Sequence, residues 1–435
     1  MTPPRRERVV DALALVVLKL AVGAWILRVG FTHVSDDDYA RTVIAQQFAR
    51  APRLDPSGTS WLPLPFWITG TAMLAFGRTL QVARGVAIVL GALAVVAPYL
   101  GMREVGVGRR RALVATALAM ASPWSAWLGV ATVPEGWTGA LVGAALIAMP
   151  SSRARPWAAA ALLAGALARY ETWPACLAFA ALCGVRAARG PGRPRELAAL
   201  GTALAGPLAW MAWNAHAHDG PLHFVGRVAR FRQAVGAAAQ PLADKLLEYP
   251  AALAGDARVA TALGVIAAIG LASTPLRARW AWPLGASATI VAFLVWGDVR
   301  DGAPTHHAAR ALVAVTWVLT AAGVDALFAA GDASALRRWP RGLRLAGGAA
   351  LGVLAAAWTY VGWSPYPGAT DGDRRDAQLA RGATMRALGV HEAVITPCAF
   401  EHFALLAAWG EPEHATIEAR TGATVTATCP TVLER

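Results

Sequence analysis

The chain has 435 residues, 56% of them hydrophobic and 15% charged, with a mean hydropathy of +0.44. A soluble domain usually carries about 25% charge, so this composition excludes an ordinary soluble enzyme and leaves room for many lipid-buried segments. The net charge is +13, and every basic residue except Lys19 and Lys245 is arginine. The arginines stand in short clusters between apolar runs, a pattern of membrane topology rather than of a nucleic-acid surface.

Eleven apolar runs are legible, near 9–30, 82–102, 112–128, 137–149, 156–168, 173–185, 197–213, 251–272, 281–297, 311–330 and 343–362. They predict an all-α polytopic bundle of about eleven transmembrane helices. Several runs are shorter than the ~20 residues of a full span, which predicts tilt, re-entry or broken helices there. The first run follows Arg5, Arg6 and Arg8 and reads as a retained helix rather than a cleaved signal peptide. Basic clusters then follow every second run: Arg103 and Arg109–Arg111, Arg153 and Arg155, Arg186–Arg195, Arg277 and Arg279, and Arg337–Arg344. All fall on one side, which the positive-inside rule makes the cytoplasm. The N-terminus is then inside and the C-terminus outside.

The outer segments are 31–81, 129–136, the tip at 169–172, 214–250, 298–310 and the tail. The first is too long for a bare connector. Its stretches Tyr39–Arg50 and Trp61–Phe76 read as helices lying in the interface. Residues 1–362 form the transmembrane domain on this reading, and 363–435 a small extracytoplasmic α/β domain. The tail has β-like runs at Ala393–Thr396 and Thr424–Thr428 around a helix-like run at Phe400–Ala408. Cys176 and Cys183 lie in an apolar run and pack as small hydrophobes, whereas Cys398 and Cys429 can pair if the tail is outside. No zinc-like Cys/His spacing is present.

Four polar features lie on the outer side. Ser35-Asp36-Asp37-Asp38-Tyr39 sets three consecutive carboxylates after the first run. A helix cap needs one of them; three repel one another, which points to a general base or a metal or phosphate-bridged site. Glu135 lies in a short turn, where it can also simply favour the start of the next helix. Arg169-Tyr170-Glu171 puts a cation and an acid near the membrane, as an ion pair or a functional group. His306, His307 and Arg310 form a cluster suited to a phosphate, without a third local ligand for zinc. His216, His218 and His223 read as scattered surface residues.

In this order, the motifs resemble the GT-C superfamily of polyprenyl-phosphate-sugar glycosyltransferases, and within it the protein O-mannosyltransferases and lipid A aminoarabinose transferases. That subgroup commonly reads Asp-Glu, then Arg-Tyr-Ala and Ile-Ala. Asp37-Asp38 stands for the acidic pair here, and Ile44-Ala45 for the later one. Trp61-Leu62-Pro63-Leu64-Pro65-Phe66-Trp67 stands where the family has a segment like HPPLYYW; Gly77, Arg84, Ser122-Pro123 and Glu135 follow in the family's order. The likeness covers most of 9–175 and, more loosely, the region of Arg310. The sequence departs from the family in Asp38 for Glu, in Tyr39-Ala40-Arg41 for Arg-Tyr-Ala, which puts the role of Arg41 in doubt, and in the missing basic residue before the prolines.

The resemblance implies a multi-pass protein of a bacterial plasma (inner) membrane. It implies transfer of a sugar, in the inverting manner, from an isoprenoid-phosphate donor to an acceptor hydroxyl on a protein, lipid or glycan at the outer face. Asp37 is then the base, with Asp36 or Asp38 assisting or holding a metal, and Glu135 orients acceptor or sugar. Arg84, Arg169, His306, His307 and Arg310 face the donor phosphate, and Glu171 and Arg41 are further site candidates. A divalent cation is left open, since parts of the superfamily use one and this subgroup often does not. Two other classes stay open: a transporter or flippase for a lipid-linked or acidic solute, and a non-catalytic envelope protein that uses its tail for assembly.

Overall fold

The computed structural model describes residues 5–58, 60–190, 192–234, 240–301, 307–333, 374–422, 424–426 and 428–434. Helices dominate it. In chain order they are α1 (Arg5–Arg28), α2 (Asp37–Arg50), α3 (Leu64–Phe76), α4 (Leu80–Ala94), α5 (Val96–Glu104) and α6 (Arg109–Ala121). Then come α7 (Pro123–Leu128), α8 (Glu135–Ala148), α9 (Arg155–Ala166), α10 (Thr172–Arg189), α11 (Arg193–Ala217) and α12 (His223–Ala234). The last are α13 (Leu242–Asp256), α14 (Arg258–Gly270), α15 (Thr274–Val299), α16 (Val313–Ala333), α17 (Asp376–Ala387) and α18 (His402–Trp409).

Among the described residues, four helical stretches are long and apolar enough to cross a membrane: Arg6–Arg28, Leu80–Glu104, Thr274–Val299 and Ala308–Ala330. The pair α13 and α14, bent by 101°, raises the number to five if it is one broken span. This is the pattern of a multi-pass membrane protein; the described residues do not confirm the expected count of eleven. The run at 343–362 lies outside the described residues. The runs near 137–149 and 156–168 became α8 and α9, of 14 and 12 residues, and α8 is buried along nearly its whole length. An apolar stretch of about 10–14 residues is more readily a buried helix than a span. By contrast, α1 leaves Val10, Leu13 and Val17 exposed, a one-sided apolar stripe at helical spacing.

The chain folds as two units, one of Met1–Val22, Gly91–Ala126 and Glu135–Ser364, the other of Gly23–Leu90, Trp127–Pro134 and Pro365–Arg435. The first unit is a helical bundle. Gly139 and Gly143 let α8 lie directly on α16: a Cβ at Gly139 would stand 2.5 Å from Val313, and one at Gly143 2.7 Å from Trp317. Such small-x-x-x-small faces are a common way for membrane helices to approach closely. Arginines of the basic clusters pair with acids in this bundle. Arg109 grips Asp11 at 2.7 and 2.9 Å, and Arg8 pairs with Glu104 at 3.1 Å. Arg111 and Arg279 share the fully buried Asp325, which also accepts from the Trp280 indole at 2.9 Å. Arg155 pairs with Glu196. Arg111 and Arg279, from two clusters far apart in sequence, thus meet on one carboxylate.

The second unit joins α2, α3 and the start of α4 to the tail. Its sheet has the order β2-β1-β3, with β1 (Ala393–Thr396), β2 (Ala415–Ile417) and β3 (Thr431–Glu434). β1 runs parallel to β2, through a crossover that contains α18, and antiparallel to β3. The strand and helix expected at 393–396 and 400–408 are present, but the second β-like run is displaced: residues 424–426 are not a strand, and β3 begins at Thr431. The core of this unit is shared between α2 and the tail, with Tyr39 and Val43 packed among Met385, Ile395, Leu405 and Trp409. Gln46 donates to the carbonyl of Ala407 at 2.9 Å. Cys398 and Cys429 form a disulfide, while Cys176 and Cys183 are buried thiols.

Candidate functional site

In the bundle, close packing of α8 on α16 carries Glu135, the first residue of α8, against Arg310. Arg310 sits in a short 3-10 turn, Ala308–Leu312, leading into α16. Its Nη2 and Nε donate to Glu135 Oε1 at 2.6 and 3.1 Å. Gly165 brings the end of α9 equally close: a Cβ there would stand 2.6 Å from Val142 and 3.0 Å from Thr172. Arg169 therefore reaches the same Glu135 oxygen at 3.0 Å, while its Nε donates to Glu171 at 2.7 Å. Glu135 is 2% exposed and Arg310 4%. A buried charge is expensive unless paired and hydrogen-bonded, and these four side chains balance one another. They line a cavity of about 10 Å³ together with Thr138, Thr172 and Ala314, room for about one water.

Around this cluster the fold adds charges that were not expected from the sequence. Arg232 on α12 forms a buried ion pair with Asp298 at the end of α15, and Lys245 pairs with Asp301 at 2.6 Å. Phe224 of α12 stacks on Tyr170 at 4.1 Å, and the Trp210 indole donates to the Tyr170 hydroxyl at 3.1 Å. Asp301 and His307 both adopt left-handed backbone, with φ of 57° and 55°, which costs energy for residues other than glycine. His307 is exposed, with its ring 5.3 Å from Trp124; His306 lies outside the described residues. His218 stacks on His223 at 4.6 Å, a local pair rather than two scattered side chains.

In the second unit, the three aspartates have three different settings. Asp36 precedes α2 at the cap position, yet its side chain does not cap the helix. It is held instead by Arg375 of the tail, whose Nε and Nη2 donate to the two carboxylate oxygens at 2.8 and 2.9 Å. Asp38 is buried and accepts from the backbone N–H of Val34 at 3.0 Å, of Ser35 at 3.3 Å and of Thr132 at 2.8 Å, with the Thr132 hydroxyl at 3.1 Å. Asp37 is half-buried in the first turn of α2. Tyr39 is fully buried, and burial raises its phenol above the ordinary range.

Arg84, expected at the donor phosphate, and Arg41, a further candidate, have other partners. Arg84 donates to the carbonyl of Thr32, and the Arg41 guanidinium lies 4.5 Å from the Trp61 ring and 5.7 Å from Phe66. Of the expected residues, then, the structure groups Glu135, Arg169, Glu171 and Arg310 in the bundle and Asp36, Asp37 and Asp38 in the second unit. Thr132 and Arg375 were not picked out from the sequence. Thr132 lies in the same outer segment, 129–136, as Glu135, whereas nothing local marked Arg375 among the many arginines. The small-x-x-x-small spacing of Gly139 and Gly143 was the available signal for the approach of α8 to α16. Among the described residues, no three His, Cys, Asp or Glu side chains are grouped to hold a metal ion.

These features define a helical, multi-pass membrane protein with a buried Arg/Glu cluster and a disulfide-bonded α/β tail. No protein-family model matches the chain, and no curated protein matches it. Among solved structures the chain is similar to ArnT from Cupriavidus metallidurans in the apo state, at 16% identity and a TM-score of 0.44, over 92% of this chain and 75% of that one. A likeness of that degree carries no weight for function.

Proposed function

We propose that this protein is a membrane glycosyltransferase that moves a sugar from an isoprenoid-phosphate donor to an acceptor hydroxyl. The observation that carries this reading is the burial of two guanidinium groups, Arg169 and Arg310, on the one carboxylate of Glu135 beside a cavity, within a bundle apolar enough for a membrane. Membrane-buried charges mark functional sites by default. A guanidinium has five N–H donors, so an arginine already paired to a carboxylate can still donate to an arriving phosphate, and it matches phosphate geometry well. The family resemblance of the acidic motif supplies the reaction class.

On this reading Asp37 takes the proton of the acceptor hydroxyl. The acceptor oxygen forms a bond to the anomeric carbon as the bond from that carbon to the phosphate oxygen breaks. The isoprenoid phosphate leaves with the electron pair. Glu135 holds Arg169 and Arg310. Asp38 shapes the turn, since its oxygens already accept four hydrogen bonds. The disulfide of the tail agrees with an oxidising, extracytoplasmic compartment, and the converging arginine clusters agree with a cytoplasmic opposite side.

The test is release of free isoprenoid phosphate from a labelled lipid-linked sugar by the purified protein, with Asp37→Asn as control. Turnover that Asp37→Asn abolishes is expected; undiminished turnover in that variant sinks the base assignment. Transport of a lipid-linked or acidic solute is the second reading. It is favoured by Asp325 and Lys19, both buried within candidate spans; Lys19 Nζ donates to the carbonyl of Ser125 at 2.5 Å. Movement of the intact donor across a bilayer without release of phosphate would establish that reading instead.

A further inference from the structure

Three adjacent carboxylates can share one turn only if something offsets their charge. In this protein two distant segments do so. Thr132 serves Asp38, and Arg375, from 339 positions further along the chain, serves Asp36. The Arg375 pair is of the stronger kind, with two parallel N–H···O bonds from one rigid fork. Its guanidinium is only 7% exposed, so solvent screening does little to weaken it.

Arg375 is itself held firmly. It immediately precedes α17, and that helix is tied to the end of the chain. The Gln378 side chain donates to the carbonyls of Cys429 at 2.7 Å and Thr426 at 3.2 Å. Arg381 donates to the carbonyls of Pro430 and Val432, each at 3.1 Å. Cys429 is bonded in turn to Cys398. The Arg375 side chain therefore projects from a braced element onto the acidic turn, while Tyr39 and Val43, one and two turns into α2, are clasped in the tail's core.

We infer that Arg375 is a positioning residue: by fixing Asp36 against the tail, it sets the orientation of Asp37 in the turn between Asp36 and Asp38. The role of Asp37 in this statement rests on the reading of Asp37 as the base; the clamp on the turn does not. Arginine is required for its geometry as well as its charge, because the ammonium of lysine offers a point charge instead of a fork. The tail is on this account a structural part of the acidic site and not an appended domain.

The experiment uses the full chain in detergent or nanodiscs and compares Arg375→Gln, Arg375→Lys, Asp36→Asn and Asp37→Asn. Two readouts are taken: steady-state turnover of an isoprenoid-phosphate sugar, and hydrogen–deuterium exchange over residues 30–45 and 376–409. Misplacement of a reacting group by a small distance costs up to about 100-fold in rate. Arg375→Gln is expected to lower kcat by about 10- to 100-fold with the donor KM within about 2-fold, the mark of an interaction that counts in the transition state. Arg375→Lys should recover part of that loss, and Asp36→Asn should reproduce it from the other side of the pair. Exchange should rise over 30–45 and stay unchanged over 376–409.

Unchanged exchange over 30–45 in both Arg375→Gln and Asp36→Asn overturns the clamp, as does full kcat in both. If exchange rises over the tail as well in Arg375→Gln, that variant has lost the domain and Asp36→Asn decides. Retained turnover in Asp37→Asn removes the base from the account, yet the exchange result still decides whether Arg375 holds the turn.

Discussion

Arg310 donates twice to Glu135, across 175 positions of sequence, and Arg169 adds a third bond to the same oxygen. One buried acid thus holds two buried cations, and Arg169 also pairs with Glu171. Breaking a buried pair by removing one partner costs about 3–5 kcal/mol. Glu135→Ala is therefore expected to lower the melting temperature in detergent sharply and to abolish transfer. Glu135→Gln keeps the shape but not the charge, and should lose activity with a smaller stability cost. A Glu135→Ala protein as stable as the wild type would show that the arginines have other support.

Gly143 faces Trp317 at a distance that leaves no space for a side chain. Gly143→Leu should push α8 from α16 and withdraw Glu135 from Arg310. Overpacking of this kind typically costs about 1–3 kcal/mol, read as a fall in thermal stability. Gly184→Leu is the control, since a Cβ there meets only one ordinary contact at 3.9 Å, and it should melt close to the wild type.

The Cys398–Cys429 bridge closes a loop of 31 positions. Loss of a native disulfide typically costs about 2–4 kcal/mol. Cys398→Ser with Cys429→Ser should make the tail sensitive to protease while leaving the bundle intact. Because the bridge braces the element that carries Arg375, transfer should fall together with tail protection. A reduced tail that resists protease as well as the oxidised one would contradict this.

His402, in the tail, is 4% exposed, and burial pulls its imidazole below the ordinary value. Above the ordinary histidine pKa of about 6.5, the folded and unfolded chains are both neutral at this site. Below it the unfolded chain binds the proton first, so stability falls with falling pH until the lowered folded value is passed. The tail of the wild type should thus loosen below about pH 6.5, and His402→Gln should flatten that dependence. Hydrogen–deuterium exchange of α18 between pH 7.5 and 5.5 measures both; identical slopes would discard His402 as the cause.

Hydropathy by itself located most of the helices. The stretches at 6–28, 80–104, 274–299 and 308–330 stand where apolar runs were expected, and β1 and α18 lie where the tail's short patterns placed them. Span count was the weak point. A window of apolar residues has the same composition whether lipid or other helices surround it, so the sequence alone could not tell that α8 and α9 are short, with α8 almost wholly interior. The three aspartates were legible as an anomaly because like charges in sequence need a reason. The reason itself was not legible. Which acid is held by Thr132, which by Arg375, and that Glu135 binds two arginines at once are decided by contacts between 34 and 339 positions apart. Composition and order of residues set the membrane class and the list of charged candidates; only tertiary packing, through glycines that let helices touch and a tail that folds back on α2, assigned each charge its partner.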